Sequence, residues 1–173
     1  DTIDLGGGND RLVLTAGNDG NDNVKGGAGI DTYDAGGASG AVTLSLVNGT
    51  AQGATIGTDT IAAFENAFGS AFNDQIFGSE GANTLSGNAG NDRLTGLGGN
   101  DRILGGDGAD KICGGAGRDS LSGSAGTDSF VYTRAYESAA SSADVILDFT
   151  RGSDRIDLSA IDASAKAAGN NAF

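Results

Sequence analysis

Aspartate recurs at nine-residue steps along the second half of the chain, at Asp74, Asp92, Asp101, Asp110, Asp119 and Asp128. Asn83 fills the one missing place. Carboxylates at fixed spacing can do acid–base work or hold a hard cation. Acid–base machinery of the usual kinds is short of parts. With no histidine there is no His-based triad and no HExxH zinc motif. A glycosidase-like carboxylate pair is the weaker reading, because the repeat itself accounts for the pairing. Zinc does not suit a chain with no histidine and one cysteine, Cys113. Magnesium resists dehydration and wants strict octahedral geometry. Calcium takes six to eight carboxylate and carbonyl oxygens and suits the set best.

The aspartates sit in a frame that can place them. From Gly69 to Val131 the chain divides without a gap into seven nonamers: GSAFNDQIF, GSEGANTLS, GNAGNDRLT, GLGGNDRIL, GGDGADKIC, GGAGRDSLS and GSAGTDSFV. The pattern is G-G-x-G-x-D-x-U-x, with U apolar. Position eight is Ile76, Leu85, Leu94, Ile103, Ile112, Leu121 and Phe130. A less regular block opens the chain, with Asp1, Asp10, Asp22 and Asp31 at position six and Ile3, Leu12, Val24 and Tyr33 at position eight. A doubled turn, Gly17 to Asp22, adds three residues there, so Asp19 competes with Asp22 for the ligand role.

Glycine permits positive φ and tight turns, and alternation along a strand sends position eight inward and its neighbours outward. One nonamer then reads as a turn plus a strand of about three residues. Two nonamers make one coil, and residues 18 apart stack about 4.8 Å apart in parallel strands. Asp92 falls near Asp110, Asp101 near Asp119, Asp110 near Asp128, Asp74 near Asp92, and Asn83 near Asp101. Such columns repel unless a cation lies between them. Carbonyls two and four residues before each Asp face the same way as its side chain. They belong to Gly8, Gly29, Gly90, Gly99, Gly108, Gly117 and Gly126, and to Gly106 and Gly115.

Composition points the same way. Among 173 residues there are 32 Gly and no Pro, which excludes collagen. Twenty of the 23 acidic residues are Asp, the short carboxylate of turns and hard-cation sites, and the net charge is −13. That charge argues against nucleic acid and anionic membrane as partners. About six Ca²⁺ would nearly balance it. No apolar run is long enough to span a membrane. Cys113 stands at position nine among varied residues and reads as a neutral substitution. Asn48-Gly49-Thr50 reads as a turn.

These nonamers resemble the RTX (repeats-in-toxin) calcium-binding repeats. The tail DVILDFTRGSDRIDLSAIDA resembles the C-terminal domain of serralysin-type secreted metalloproteases. The resemblance implies an all-β fold, a parallel β-roll with a C-terminal β-rich cap. It implies a first repeat block at 1–40, a spacer continuing the roll at 41–68, a second block at 69–131 and a capping region at 132–173, truncated before the export signal. In the spacer Asp59 reads equally as a ligand or a turn residue. Residues 132–143 read as a loop or short helix. Asp144, Asp148, Asp154 and Asp157 can bind calcium, though most of them read more readily as capping-turn residues.

The function so implied is a calcium-binding module of a secreted bacterial protein, monomeric as a fragment, non-catalytic, and attached to other domains. It would stay unfolded in the cytosol, pass through a type I secretion system, and fold in external calcium. A calcium-rigidified stalk or surface-layer repeat is one alternative. The repeat end of a secreted protease, lipase or polysaccharide epimerase is another. The second block is expected to bind more tightly and cooperatively than the first, and the chelated chain to be largely disordered.

Overall fold

A computed structural model describes residues 1–15, 20–139 and 141–161. The expected two-sided coil is present. The first block supplies β1 (Thr2–Asp4), β2 (Arg11–Val13), β3 (Asn23–Lys25) and β4 (Thr32–Asp34). Ile3 pairs in register with Val24 and Leu12 with Tyr33, a 21-residue step that absorbs the doubled turn. The second block supplies β9 (Gln75–Ser79), β10 (Thr84–Ala89), β11 (Arg93–Gly98), β12 (Arg102–Gly108), β13 (Lys111–Ala116), β14 (Ser120–Gly126) and β15 (Ser129–Val131). Alternate strands fall in opposite sheets and pair in parallel at 18-residue steps, as in Leu94↔Ile112 and Ile103↔Leu121.

The core is the stack of position-eight side chains between the two sheets. Ile76, Leu85, Leu94, Ile103, Ile112, Leu121 and Phe130 are all buried. Each such burial contributes about 1.5–3 kcal/mol.

Two features depart from the sequence reading. Strands in the second block are mostly five to seven residues long, not three, because turn residues join the ladder: Asn88 pairs with Gly106 and Ala89 with Asp107. The spacer also does not simply coil on. Its β5 (Val42–Ser45), β6 (Thr50–Gly53) and β7 (Gly57–Ala62) form an antiparallel meander inside the first sheet. Only β6 runs against its neighbours there, so β5 and β7 remain parallel to β9 and β3. The Asn48-Gly49 turn permits the reversal, with Gly49 at φ 66°. Opposite it, β8 (Asn66–Phe68) keeps the second sheet continuous between β4 and β10. Leu44, Ala51, Ile56, Ile61 and Phe64 thicken the core here, and Phe64 meets the Tyr33 ring edge-on at 5.7 Å.

Beyond the repeats the coil closes once more. β16 (Val145–Ile146) adds to β14 and β17 (Arg155–Asp157) to β15, both in parallel. Residues 132–139 form turns rather than a helix. This last coil covers the Phe130 end of the core, with Phe149 6.2 Å from the Phe130 ring.

Candidate metal centre

The position-six side chains form two columns, one beside each sheet. A single hydrogen bond repeats along both. The backbone N–H of each position-six residue donates to the carboxylate of its counterpart in the next coil. On one side Asp74 donates to Asp92, Asp92 to Asp110 and Asp110 to Asp128, at 2.7 to 3.0 Å. On the other Asn83 donates to Asp101 and Asp101 to Asp119, both at 2.8 Å. The first block repeats the scheme from Asp10 to Asp31, while Asp1 meets Asp22 through the chain's amino group. Asp22 holds the column place; its competitor Asp19 lies outside the described residues.

The columns run further than the nonamers. Asp22 donates to Asp59, and Asp31 to Glu65. Asp59 is therefore a buried strand residue in the column, not a turn residue. Past the repeats, Asp119 donates to Asp144 and Asp128 to Asp154, both at 3.0 Å. These two stand in the columns, the place that their alternative reading as calcium ligands requires. A nine-residue period does not reach them, because the steps widen to 25 and 26 residues. The D-x-U signature survived in Asp144-Val145-Ile146 and Asp154-Arg155-Ile156. The other two are caps: Asp148 accepts from the Gly123 and Ser124 N–H groups, and Asp157 from Ser159 N–H.

In most of the repeats one carboxylate oxygen is left without a donor. Oδ2 of Asp10, Asp31, Asp92, Asp101, Asp110, Asp119, Asp128 and Asp144 is buried without a hydrogen-bond partner. Native proteins rarely leave a charged oxygen in that state unless an ion completes it. Space for these oxygens comes from glycine at position one. A Cβ on Gly87, Gly96, Gly105, Gly114 or Gly123 would lie well inside 3.0 Å of the Oδ2 of its own repeat's Asp. Position one is glycine because the carboxylate occupies the place of its side chain.

The proposed carbonyl donors are stacked as well. Carbonyl oxygens of Gly8, Gly90, Gly99 and Gly108 lie against the Cα atoms of Gly29, Gly108, Gly117 and Gly126 one coil on. Gly106 and Gly115 sit at φ 117° and 101° at position two of their turns. No group of three His, Cys, Asp or Glu side chains gathers among the described residues. A cation here would therefore draw more oxygens from the backbone than from carboxylates, which suits calcium.

Electrostatics bear on the same oxygens. Burial pushes Asp92 and Asp101 up to about 7 and Asp110 up to about 6, and neighbouring carboxylates add to the shift. Asp74, Asp119, Asp128 and Asp144 are raised too, again chiefly by burial. Cys113, its thiol pushed up to about 11 mainly by burial, is no nucleophile at neutral pH.

A second ladder escaped the sequence reading. The position-five asparagines Asn73, Asn91 and Asn100 accept, through Oδ1, the N–H of Asn91, Ala109 and Arg118 one coil on. Asn9 and Asn21 do the same for Ile30 and Thr58. Its signal was the recurrence of Asn before Asp.

The family model of the RTX calcium-binding nonapeptide repeat matches this chain in four copies, over residues 1–19, 16–39, 68–103 and 95–130. These matches span more than half of the chain, and the chain belongs to that family. None of the curated proteins compared with it matches. The family is a calcium-binding structural repeat and not a catalytic one.

Proposed function

We propose that this chain is the calcium-folding module of a secreted bacterial protein. It would be disordered along its repeats in the calcium-poor cytosol, exported by a type I system, and ordered outside to stabilise an attached domain. The observation that carries the reading is the pair of carboxylate columns, whose Oδ2 atoms are buried over the position-one glycines with no donor. Membership of the RTX repeat family supports it.

In this reading the second-block ligands are Asp92, Asp101, Asp110, Asp119, Asp128 and Asp144; Asp74, Asn83 and Asp154 end the columns on protein donors. Asp1, Asp10, Asp22 and Asp31 serve the first block. Carbonyls of Gly8, Gly29, Gly90, Gly99, Gly106, Gly108, Gly115, Gly117 and Gly126 complete the shells. Bound calcium supplies the positive charge that the columns lack. The protein's part is to hold pairs of carboxylates at one coil's spacing, exclude water from them, and keep side chains out of the turns. The tail's likeness to the serralysin C-terminal domain supports a capping role for the last coil. Far-ultraviolet circular dichroism in calcium and in EGTA tests the reading: β signal should rise on adding calcium, and equal spectra would refute it.

A further inference from the structure

We infer that residues 32–83 form a unit that folds without calcium and splits the metal ladder into two arrays that order outward from it. The inference rests on the calcium reading above and concerns how that site is regulated.

Partnerless carboxylate oxygens are not spread evenly. They fall at Asp10 and Asp31, and then from Asp92 to Asp144. Between these groups the carboxylates in the coil have protein donors, from within 32–83 for Asp34, Asp59 and Asp74 and from neighbouring Asp31 for Glu65. Asp34 accepts from Arg11 and from Gly36 N–H. Asp59 accepts from Asp22 N–H and the Tyr33 hydroxyl. Glu65 accepts from Asp31 N–H, and Asp74 from Val42 N–H and from both the N–H and hydroxyl of Ser70. Asn83 uses its amide twice, accepting from Ser79 N–H and donating to the Glu65 carbonyl.

The like-charge columns are also interrupted at this point. On one side the coil before Asp74 presents Val42, an apolar residue, at the column place. On the other, neutral Asn83 stands between Glu65 and Asp101. Neither interruption leaves stacked bare carboxylates for a cation to neutralise.

Turn geometry agrees. In the later nonamers position two has positive φ: Asn88, Leu97, Gly106, Gly115 and Ser124 lie between 71° and 117°. Ser70 and Ser79 do not, and their N–H groups turn to the position-six side chain instead. This unit also holds the antiparallel meander, whose pairings are local in sequence and close cheaply. It carries the thickest part of the core, from Tyr33 to Ala67.

Hydrogen exchange on the intact chain, in EGTA and in saturating calcium, tests the inference. Amides of 32–83 should exchange at least about a hundredfold more slowly in EGTA than those of 93–126, and calcium should protect the latter. If the central amides exchange in EGTA as fast as the repeats while calcium still protects the repeats, this inference alone falls. If calcium protects nothing, the calcium reading falls and takes this inference with it. In Gly117→Ala, central protection in EGTA should persist while the calcium response of 93–126 is lost; loss of central protection there would equally overturn the proposal.

Discussion

Ser70 closes the Asp74 carboxylate from four residues away, with its hydroxyl 3.0 and 3.1 Å from the two oxygens and its backbone N–H on Oδ2. One coil on, Asp92 has no such donor, and its Oδ2 is bare. The difference lies in the turn. Position two before Asp92 is Asn88 at φ 74°, whereas Ser70, like Ser79 before Asn83, keeps an ordinary φ and turns its N–H to the position-six side chain. Replacing Ser70 with Gly should cost the central coil about 1 kcal/mol of metal-free stability, the usual worth of such a hydrogen bond. Urea unfolding in EGTA reads this, and an unchanged midpoint would contradict it.

Acid should partly replace calcium. Asp92, Asp101 and Asp110 have folded-state values of about 7, 7 and 6, above the ordinary 3.8. A carboxyl raised on folding stabilises the fold while protonated, and that stability is lost as pH rises from about 4 towards 7. Calcium-free chain should therefore gain β signal as pH falls from 8 to 5, and calcium affinity should weaken over the same span. Circular dichroism and calorimetry in a pH series check both, and a flat profile would sink the idea.

Glycines in the turns should differ sharply in tolerance. A Cβ at Gly108 or Gly117 would overlap the carbonyl oxygen of Gly90 or Gly99, and both backbones sit near φ +138°. Each Ala variant should lose roughly 3 kcal/mol or more in saturating calcium. At Gly6 (φ +90°) nothing lies within 4 Å of the added atom. Gly6→Ala should cost only the backbone strain, about 1 kcal/mol. Chemical denaturation in calcium compares them, and equal losses would show that coil spacing is looser than described.

The two tail carboxylates should not be equivalent. Asp144 leaves Oδ2 without a close donor, with the Tyr132 hydroxyl bearing on its carboxylate, whereas Asp154 receives Thr150 N–H on its second oxygen at 2.7 Å. Asp144→Asn should lower calcium stoichiometry, and Asp154→Asn should do so less or not at all. Titration calorimetry on the two variants decides, and the reverse order would contradict the assignment.

Much of this was readable from the residues because the nonamer couples chemistry to period. Once Asp92 and Leu94 recur nine residues on as Asp101 and Ile103, sheet membership, register and the inward face all follow. What the residues hid is non-local. The meander at Val42 to Ala62 alternates just as a coiling strand would, and only packing shows that β6 turns back. Asp59, Glu65, Asp144 and Asp154 join the columns across irregular steps that a fixed period cannot find. The role of position one emerged only from the carboxylate beside each Gly Cα. Strand lengths were underread because Gly-rich turns were not expected to pair, yet a glycine backbone pairs as readily as any other when its neighbour lies in register.

Calcium binding by the columns should order the repeats. Calcium titration into chelator-stripped protein tests it most directly, followed at once by calorimetry and circular dichroism. It should be run beside a variant with Asp92, Asp101, Asp110 and Asp119 all changed to Asn. The native chain should bind several ions with a matching gain in β signal, and the variant should lose most of both. An equal number of ions bound by the two chains, or none by the native one, would contradict the account.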